Sequence, residues 1–385
     1  MAFEPRPYQQ DAIDLGVDYF RDKKAKHNAF VILPTGSGKS VVIANTASGV
    51  EGKTVVFQPS KEILEQNVQK FMSYGYRCGV YSASAGMKYI DDVTFATIGS
   101  VASKPHIFSS FKNIIIDECH LVNPNGGMYH DFIKYFPNSK VLGLTATPYR
   151  LTSGFDGAML KFLNRTNPRI FNKVLYYVQN EVLFNKGHLA KLRYFSFDVI
   201  NRDRLTVNST GTDFTDASLK AYYRQINMPG VIASYANSIL EKRKNILVFC
   251  SLIEEAKSAA AMIPGAVVLT GMTPEAERSR ILSQFKKGQI RCVINVGVLT
   301  TGFDFPELEA VLIARSTMSL ALYYQIVGRV MRTHPNKEDG WVVDIGGNIK
   351  KFGKIETMKI KVSDNGLYSV WNDGRQLTNV YFSKN

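Results

Sequence analysis

Short apolar runs alternate with helix-like segments over the first 150 residues. Five of these runs fit buried strands, because each is short and rich in β-branched or aromatic residues; they are AFVIL, TVVFQ, VTFAT, NIIIDE and KVLGLTA. Segments between them, such as SKEILEQNVQKFMSYG, carry apolar residues at three- and four-residue spacing. The alternation predicts a parallel sheet covered by helices, in which ligands bind beyond the carboxyl ends of the strands.

A second alternating block begins near Lys244, with NILVFC, AVVLTG, RCVINV, AVLIAR and GWVVDI as its predicted strands. The stretch between the blocks is mixed. It contains the polar segment NRDRLTVNSTGTDFT, a strand candidate in RYFSFDVI and a helical pattern broken at Pro229. The pattern predicts an α/β chain of four segments: a first domain at 1–152, a connecting and accessory segment at 153–240, a second domain at 241–348 and a basic tail at 349–385.

The stretch VILPTGSGKS (31–40) joins the first predicted strand to a helix. Gly36 and Gly38 permit backbone angles that a side chain forbids, so consecutive N–H groups can face one anion at the helix N-terminus. In this interpretation Lys39 reaches the β- and γ-phosphates of a nucleotide, and the Ser40 hydroxyl binds Mg²⁺. The alternative is an ordinary glycine-rich turn.

Two more strand ends in the first block carry polar chemistry. IIIDECH places Asp117 where a carboxylate can hold Mg²⁺, and Glu118 beside it can activate the attacking water. GLTATP places Thr145 and Thr147 where their hydroxyls can bridge these acids to other parts of the protein. The alternatives are a pair of solvated acids and a simple turn.

The second block contributes arginines. YYQIVGRVMR places Gln325, Arg329 and Arg332 at helical spacing on one face, and no acid stands nearby in the sequence to neutralise the arginines. An arginine that reaches a γ-phosphate raises turnover about 10³–10⁵-fold, whereas the alternative is a solvated basic face. The loop VLTTGFDFP, after another predicted strand, contributes Thr300, Thr301, Gly302 and Asp304.

Composition adds a partner class. A chain of 385 residues can form two or three domains, and its net charge of +14 favours a polyanionic partner, nucleic acid before an anionic membrane surface. The four cysteines lack metal-ligand spacing and suit a reducing compartment. The N-terminus lacks an apolar signal segment, and no apolar run approaches the roughly 18 residues of a membrane span.

The motifs, in this order, resemble the core of superfamily 2 DEAD/DEAH-type (DECH-box) helicases. The resemblance rests on RPYQQ, PTGSGKS, FQPSKEILEQN, ATIGSV, DECH, TATP, LVFCS, VLTTGFD and QIVGRVMR. It implies two RecA-like parallel-sheet domains in tandem with the ATP site in the cleft between them. LGLTATPYR, INVGVLTTGFDFP and YYQIVGRVMR resemble most closely the RadD-like DNA-repair ATPases, whose C-terminal cysteine-rich region is missing here.

The resemblance implies ATP and Mg²⁺ as cofactors and assigns a role to each matching residue. The nucleotide-binding residues are Arg6, Tyr8, Gln9 (which reads the adenine edge), Pro34, Thr35, Gly36, Ser37, Gly38, Lys39, Ser40, Gly302 and Asp304. The catalytic residues are Lys39, Asp117, Glu118, Gln325, Arg329 and Arg332, with Ser40 and Asp117 on the metal. The residues that couple hydrolysis to domain motion are His120, Thr145 and Thr147. The nucleic-acid residues are Pro59, Ser60, Lys61, Thr97, Gly99, Ser100, Thr270, Gly271 and Thr300.

The function implied is an ATP-dependent motor, a DNA helicase or translocase acting on branched or forked DNA in repair, recombination or replication. The RadD-like detail and TATP favour DNA over RNA. We expect a cytoplasmic, bacterial or phage-encoded monomer that needs no membrane and has a single-strand-binding or recombination protein as candidate partner. The alternatives are an ATP-gated DNA-binding or recruitment protein, an RNA helicase, and a small-molecule kinase, which would not need the second block.

Overall fold

The computed structural model describes residues 4–154, 157–300 and 302–381. The chain forms two compact units: Met1–Arg150 with Lys161–Gln179, and Leu151–Leu160 with Asn180–Asn385. Thr301 of the predicted VLTTGFD loop and residues 382–385 of the predicted tail lie outside the described residues. We call the first of these unit 1 and the second unit 2.

Unit 1 is built on an eight-stranded sheet. Its strands are β1 (Ala29–Ile32), β2 (Lys53–Gln58), β3 (Gly79–Ser82), β4 (Met87–Tyr89), β5 (Val93–Thr97), β6 (Phe111–Asp117), β7 (Lys140–Thr145) and β10 (Lys173–Tyr177). The strands β8 (Tyr149–Gly154) and β9 (Gly157–Phe162) pair as a separate two-stranded ribbon, most of which belongs to unit 2. The order is β10-β1-β7-β6-β2-β5-β3-β4, and all neighbours are parallel except β4, which runs antiparallel to β3. Its helices are α1 (Pro7–Arg21), α2 (Lys39–Gly49), α3 (Lys61–Ser73), α4 (Ile98–Val101) and α5 (Met128–Tyr135).

Unit 2 is built on a six-stranded parallel sheet. Its strands are β11 (Leu192–Ser196), β12 (Ile246–Cys250), β13 (Val267–Thr270), β14 (Cys292–Val296), β15 (Ala310–Ala314) and β16 (Gly340–Asp344), in the order β11-β16-β15-β12-β14-β13. Its helices are α6 (Asn180–Asn185), α7 (Asp216–Gln225), α8 (Met228–Leu240), α9 (Ile253–Ala260), α10 (Glu275–Lys286), α11 (Leu320–Gly328) and α12 (Asn348–Phe352). The strands β17 (Lys359–Val362), β18 (Tyr368–Asn372) and β19 (Arg375–Gln376) form an antiparallel sheet.

The ten predicted strands are confirmed, as is the prediction of parallel sheets. The central strands β1, β12 and β15 are buried at every position, which is why each reads as an unbroken apolar run. Helices cover both faces of such a sheet, so its strands need not alternate between apolar and polar residues.

The predicted boundaries between segments differ from those in the structure. The segment 153–240 is no separate body: β10 pairs with β1 in unit 1, and β11 pairs with β16 in unit 2. Helices α7 and α8 pack Tyr223, Ile232 and Ala236 into the core of unit 2. The stretch 349–381, predicted as a tail, contributes α12 and the sheet β17–β19 to unit 2. These elements pack through scattered apolar residues that give no continuous run in the sequence.

Among the described residues, the helices are all too short or too polar to cross a lipid bilayer.

Candidate functional site

The predicted site residues of unit 1 gather at one edge of its sheet. The glycine-rich loop follows β1, Asp117 ends β6 and Thr145 ends β7; in the sheet order β7 lies between β1 and β6. The carboxyl ends of parallel strands face the same edge, so the loop and both polar strand ends lie on one side of unit 1.

The loop has the backbone geometry that its glycines predict. Gly36 has φ 82° and Gly38 has φ 81°, in the left-handed region that favours glycine. A Cβ on Gly38 would lie 2.4 Å from Nε2 of Gln9, so the loop also leaves no space for a side chain at this position. Gly38 is the residue that precedes the first turn of α2, whose first residue is Lys39.

The start of α1 is hydrogen-bonded to the glycine-rich loop. The Tyr8 hydroxyl and the Gln9 Nε2 group both donate to the carbonyl of Ser37, each at 2.7 Å. Gln9 is 2% exposed, and its Oε1 accepts from the backbone N–H of Arg6 at 2.8 Å. Gln9 therefore fixes the loop directly, while its contact with adenine stays a prediction.

Lys39, Glu118 and His120 are in contact beside the loop. Nζ of Lys39 lies 3.2 Å from Oε1 of Glu118, and Nδ1 of His120 lies 3.4 Å from Oε2 of the same carboxylate. Burial by itself raises the pKa of Glu118, but the Lys39 ammonium and His120 outweigh burial and the net shift is downward. Glu118 is therefore held as a carboxylate.

Asp117 is buried and oriented by two donors. Its Oδ1 accepts from the backbone N–H of Glu118 at 2.9 Å, and its Oδ2 accepts from Nδ2 of Asn67 at 3.3 Å. Burial raises the pKa of Asp117, and the negative charge of Glu118 raises it further. A cation beside this carboxylate would offset both effects.

Asn67 is a site residue that the sequence interpretation missed. It lies on the apolar face of α3 with Leu64 and Phe71, at spacings of three and four, and is 3% exposed. It also donates to Oε1 of Gln58 at 2.7 Å. A polar residue within an apolar helical stripe needs a buried partner, and this is the signal that could have identified it.

The predicted coupling residues are in contact with one another. Nδ1 of His120 lies 2.9 Å from Oγ1 of Thr145 and 3.1 Å from Oγ1 of Thr147, and both threonines are fully buried. Arg150 donates from Nη1 to the carbonyl of His120 at 2.5 Å, a contact that the motif reading did not foresee. The network joins Glu118 to the chain that leaves β7.

The residues present fit a nucleotide phosphate and a magnesium ion. The Ser37 hydroxyl is buried in the loop without a hydrogen-bond partner among the described residues. Ser40 and Asp117 offer hard oxygen donors, which Mg²⁺ prefers. The described residues contain no group of three or more His, Cys, Asp or Glu side chains that could hold a metal, but Mg²⁺ binds through one or two protein oxygens, phosphates and water.

The predicted nucleic-acid residues follow adjacent strands in unit 1. Pro59, Ser60 and Lys61 follow β2, which pairs with β5, and Thr97 ends β5. Oγ of Ser60 caps α3 by accepting from the N–H of Ile63 at 3.4 Å.

The end of β5 presents small hydroxyl groups and one open glycine. Oγ1 of Thr97 lies 2.8 Å from Oγ of Ser100 and 3.1 Å from Oγ of Ser82. A Cβ on Gly99 would meet nothing within 4 Å, so the backbone there borders open space. These positions lie together at the end of β5, and their contact with nucleic acid stays a prediction.

In unit 2, Thr270 ends β13 and Gly271 follows it, exposed. Thr300 belongs to the loop after β14, which Oδ1 of Asn295 holds by accepting from the N–H groups of Val298 and Leu299 at 3.0 and 2.9 Å. Since β13 and β14 are parallel neighbours, these threonines lie at the same edge of the unit 2 sheet.

The predicted arginine face is wrong in two respects. Helix α11 ends at Gly328, so Gln325 is helical whereas Arg329 caps the helix and Arg332 lies beyond it. Arg332 forms an ion pair with Asp304, so an acid does stand beside the arginines. The loop after β14 brings this acid close, which spacing along the sequence could not reveal.

Arg329 donates from Nη1 to the carbonyl of Phe303 and from Nε to the carbonyl of Gln325, the latter at 3.2 Å. Gly302, with φ 77°, allows the loop to turn before this contact. The structure therefore brings Gly302, Asp304, Gln325, Arg329 and Arg332 together within unit 2.

Two protein families match the chain. The family described as type III restriction enzyme, res subunit, matches residues 2–150, and the helicase conserved C-terminal domain matches residues 232–334.

Individual relatives cover most of the chain at low identity. A 51.5 kDa protein of Lactococcus phage (isolate 7-9) is 25% identical over 311 residues, covering 79% of this chain and 62% of that protein. The ATP-dependent DNA helicase uvsW of Enterobacteria phage T4 is 24% identical over 363 residues, covering 89% of this chain and 68% of that protein. The chain spans between 51% and 68% of the length of four such curated relatives.

A solved structure, the ATP-dependent Type ISP restriction-modification enzyme LlaBIII bound to DNA, superposes with a TM-score of 0.64 at 16% identity. The match covers 90% of this chain and 28% of that chain. At this identity the likeness concerns the fold alone.

Proposed function

We propose that this chain, which carries a superfamily 2 helicase core, is an ATP-dependent motor that acts on DNA as a helicase or translocase. The observation that carries the proposal is the edge of the unit 1 sheet. There a phosphate-type loop, the Lys39–Glu118 pair and the buried Asp117 lie on the same side as the hydroxyls that follow β2 and β5. Nucleotide chemistry and nucleic-acid contacts therefore share one rigid sheet.

The phosphate loop binds the nucleotide. Gly36 and Gly38 aim backbone N–H groups at the phosphates, and Lys39 adds a cation at the start of α2. Ser40 and Asp117 would hold Mg²⁺, which would neutralise charge on the phosphate oxygens.

Glu118 is the group that orients and deprotonates the attacking water. In the structure its carboxylate is paired with Lys39 and His120. When Lys39 turns to the phosphates, one oxygen of Glu118 is released to accept a hydrogen bond from water.

The His120–Thr145–Thr147 network transmits the state of the site to the chain beyond β7. The Nδ1 atom of His120 contacts Glu118, Thr145 and Thr147, so the three side chains meet at one ring nitrogen. A change in the ion-pair partners of Glu118 can therefore alter, through His120, the position of the threonines that follow β7.

Unit 2 carries the other residues that we propose to act in ATP hydrolysis. Arg329 and Arg332 contribute positive charge to hydrolysis, and Gln325, Gly302 and Asp304 position them. Asp304 holds Arg332 in the structure, and its place beside the arginine is what a positioning residue requires.

The proposed nucleic-acid residues contact the phosphate backbone. They are mostly small hydroxyl side chains and open glycine backbone, which position a protein without reading sequence. Together with the net charge of +14, they favour binding that is sequence-independent and strongly dependent on salt.

At a finer level we propose a RadD-like role in DNA repair, recombination or replication, with DNA preferred over RNA. The relative from phage T4 is named a DNA helicase, which supports DNA. A monomer in the bacterial cytoplasm, working with a single-strand-binding or recombination protein, is the setting that suits this role.

Strand displacement tests the proposal. A labelled third strand bound to duplex DNA, and a labelled forked duplex, are incubated with the protein and ATP. We expect release of at least one label that requires hydrolysable ATP and is absent with the Lys39→Ala variant. Binding to both substrates with no release of either would replace the motor by an ATP-gated DNA-binding protein.

A further inference from the structure

One face of the antiparallel sheet β17–β19 carries two lysines and a tryptophan. Lys359 lies opposite Trp371 and Lys361 lies opposite Ser369 in the register of β17 and β18. Directly paired residues share a face, and so do residues two apart along a strand, so these four side chains lie together. Val370, which points the other way, is 4% exposed and therefore belongs to the buried side of the sheet.

This lysine–tryptophan face is open to solvent. Lys359 and Lys361 are exposed and Trp371 is half-buried. The three side chains line a groove of about 300 Å³, which Asp373 also borders. The stretch 349–381 carries six basic and three acidic residues, so its own charge is positive.

The indole of Trp371 is held in one orientation. Its Nε1 group donates to Oγ of Ser369 at 2.9 Å, and Nζ of Lys361 lies 4.3 Å from the ring centroid. Both contacts come from neighbouring positions of the same sheet. The ring therefore loses little freedom when a flat partner stacks on it.

The lysines remain available to an anion. Lys361 forms no ion pair with a carboxylate in the described part of the chain. Lys359 lies 3.0 Å from Glu181, but both side chains are 51% exposed, and such surface pairs are weak and screened by salt. A phosphate can therefore replace Glu181 at little energetic cost.

We propose that the lysine–tryptophan face binds single-stranded nucleic acid, with a base stacked on Trp371 and the backbone phosphates on Lys359 and Lys361. Aromatic side chains flanked by basic ones bind single strands in this way, because every base has a π-face and every nucleotide a phosphate. A duplex keeps its bases paired and stacked inside the helix, so none of them is free to stack on Trp371. This inference rests on the proposed function and adds a second contact surface for its substrate.

Binding of labelled oligothymidine to the full chain tests the face. We expect Trp371→Ala to weaken binding about fivefold or more, and Trp371→Phe to stay closer to wild type because it keeps an aromatic face. Lys361→Ala should flatten the plot of log Kd against log salt by about 0.7. Lys244→Ala is the matched control, since it removes an exposed lysine that precedes β12 and is not part of the lysine–tryptophan face, and it should change neither quantity.

Tryptophan fluorescence gives a direct readout of stacking. The chain has two tryptophans, and Trp341→Phe leaves Trp371 as the only one. We expect oligothymidine to quench the remaining emission and duplex DNA to quench it far less. Equal quenching by both would contradict a single-strand site, as would wild-type affinity in both Trp371→Ala and Lys361→Ala.

The two proposals fail in different ways. If the wild-type chain binds no DNA, both the proposed function and the single-strand site on the lysine–tryptophan face are rejected. If wild type binds DNA and hydrolyses ATP faster with it, while the face variants behave like wild type, only the face is wrong. Unchanged basal ATP hydrolysis and unchanged melting temperature in the variants show that the fold is intact.

Discussion

Glu118 stands in a backbone conformation that few residues other than glycine adopt. Its φ of 50° ends β6 abruptly and starts the short 3₁₀ helix Cys119–Leu121. A left-handed residue with a side chain costs on the order of 1 kcal/mol, and such residues cluster at functional sites. The turn aims the carboxylate at Lys39 and His120 instead of continuing along the strand.

Replacing Glu118 by Gln should leave ATP binding intact and lower turnover about 10²–10⁴-fold, because the amide keeps the shape but cannot accept a proton. The measurement pairs steady-state ATP hydrolysis with binding of a fluorescent ATP analogue. Glu254→Gln, which changes an exposed acid paired with Lys220, serves as the control. Turnover near wild type in Glu118→Gln would reject the assignment.

Gly38→Ala should abolish tight nucleotide binding. The residue combines φ 81° with a Cβ position only 2.4 Å from Nε2 of Gln9, so either the loop or the Gln9 side chain that is hydrogen-bonded to it must shift. Gly75 has the same φ but nothing within 4 Å of its Cβ position and lies outside the loop, so Gly75→Ala is the control for a side chain at positive φ elsewhere in unit 1. Titration of both variants with the ATP analogue checks this, and wild-type affinity in Gly38→Ala would contradict the role given to this glycine.

The role of a single residue can be predicted from the sequence where a motif specifies both the residue type and its position at the end of a strand. Lys39, Asp117, Glu118 and the TATP threonines meet as expected because parallel strands deliver them to one edge. Asn67 was missed because its partner lies on another element, and the same long-range packing places Asp304 beside Arg332.

Among elements, the buried strands are the most predictable part of the fold. Each central strand is covered on both faces and so carries an unbroken apolar run. The peripheral strands are harder to predict from apolar runs. Strand β11 is half-exposed and β4 is fully exposed, so neither is strongly apolar. The sheet β17–β19 is short and partly exposed, which is why a basic tail was predicted in its place.

Gly143 shows how tightly the sheet of unit 1 packs. A Cβ there would lie 2.6 Å from both Cβ and Sγ of Cys119 and 3.0 Å from Cε1 of Phe171. Gly143→Ala should therefore lower the free energy of unfolding of unit 1 by about 1–3 kcal/mol, the usual cost of overpacking. Denaturant unfolding measures it, and Gly99→Ala, which meets open space, is the control. Equal stability of the two variants would contradict this packing.

Arg329 caps α11 and contacts the loop after β14, so it links two elements of unit 2. Arg329→Ala should reduce ATP turnover about 10³–10⁵-fold with little change in ATP binding, the behaviour of an arginine that stabilises transferred phosphate. Arg291, which also donates to backbone carbonyls but at the amino-terminal end of β14, gives the matched control Arg291→Ala. A loss of less than tenfold in Arg329→Ala would remove it from the catalytic set.

For the molecule as a whole, the net charge of +14 and the two parallel sheets point to the same kind of substrate. Each sheet presents small polar groups at its carboxyl edge, and the lysine–tryptophan face adds a basic surface to unit 2. Many phosphates along one backbone suit a basic chain with several such groups, which favours nucleic acid over a small phosphorylated metabolite.

The central claim is that nucleic acid drives ATP turnover by this chain. The most direct measurement is the steady-state rate of ATP hydrolysis at one fixed salt concentration, first without nucleic acid and then with saturating single-stranded DNA. We expect DNA to raise the rate clearly and the Glu118→Gln variant to stay inactive in both conditions. An unchanged rate with DNA, in protein that binds that DNA, would contradict the claim.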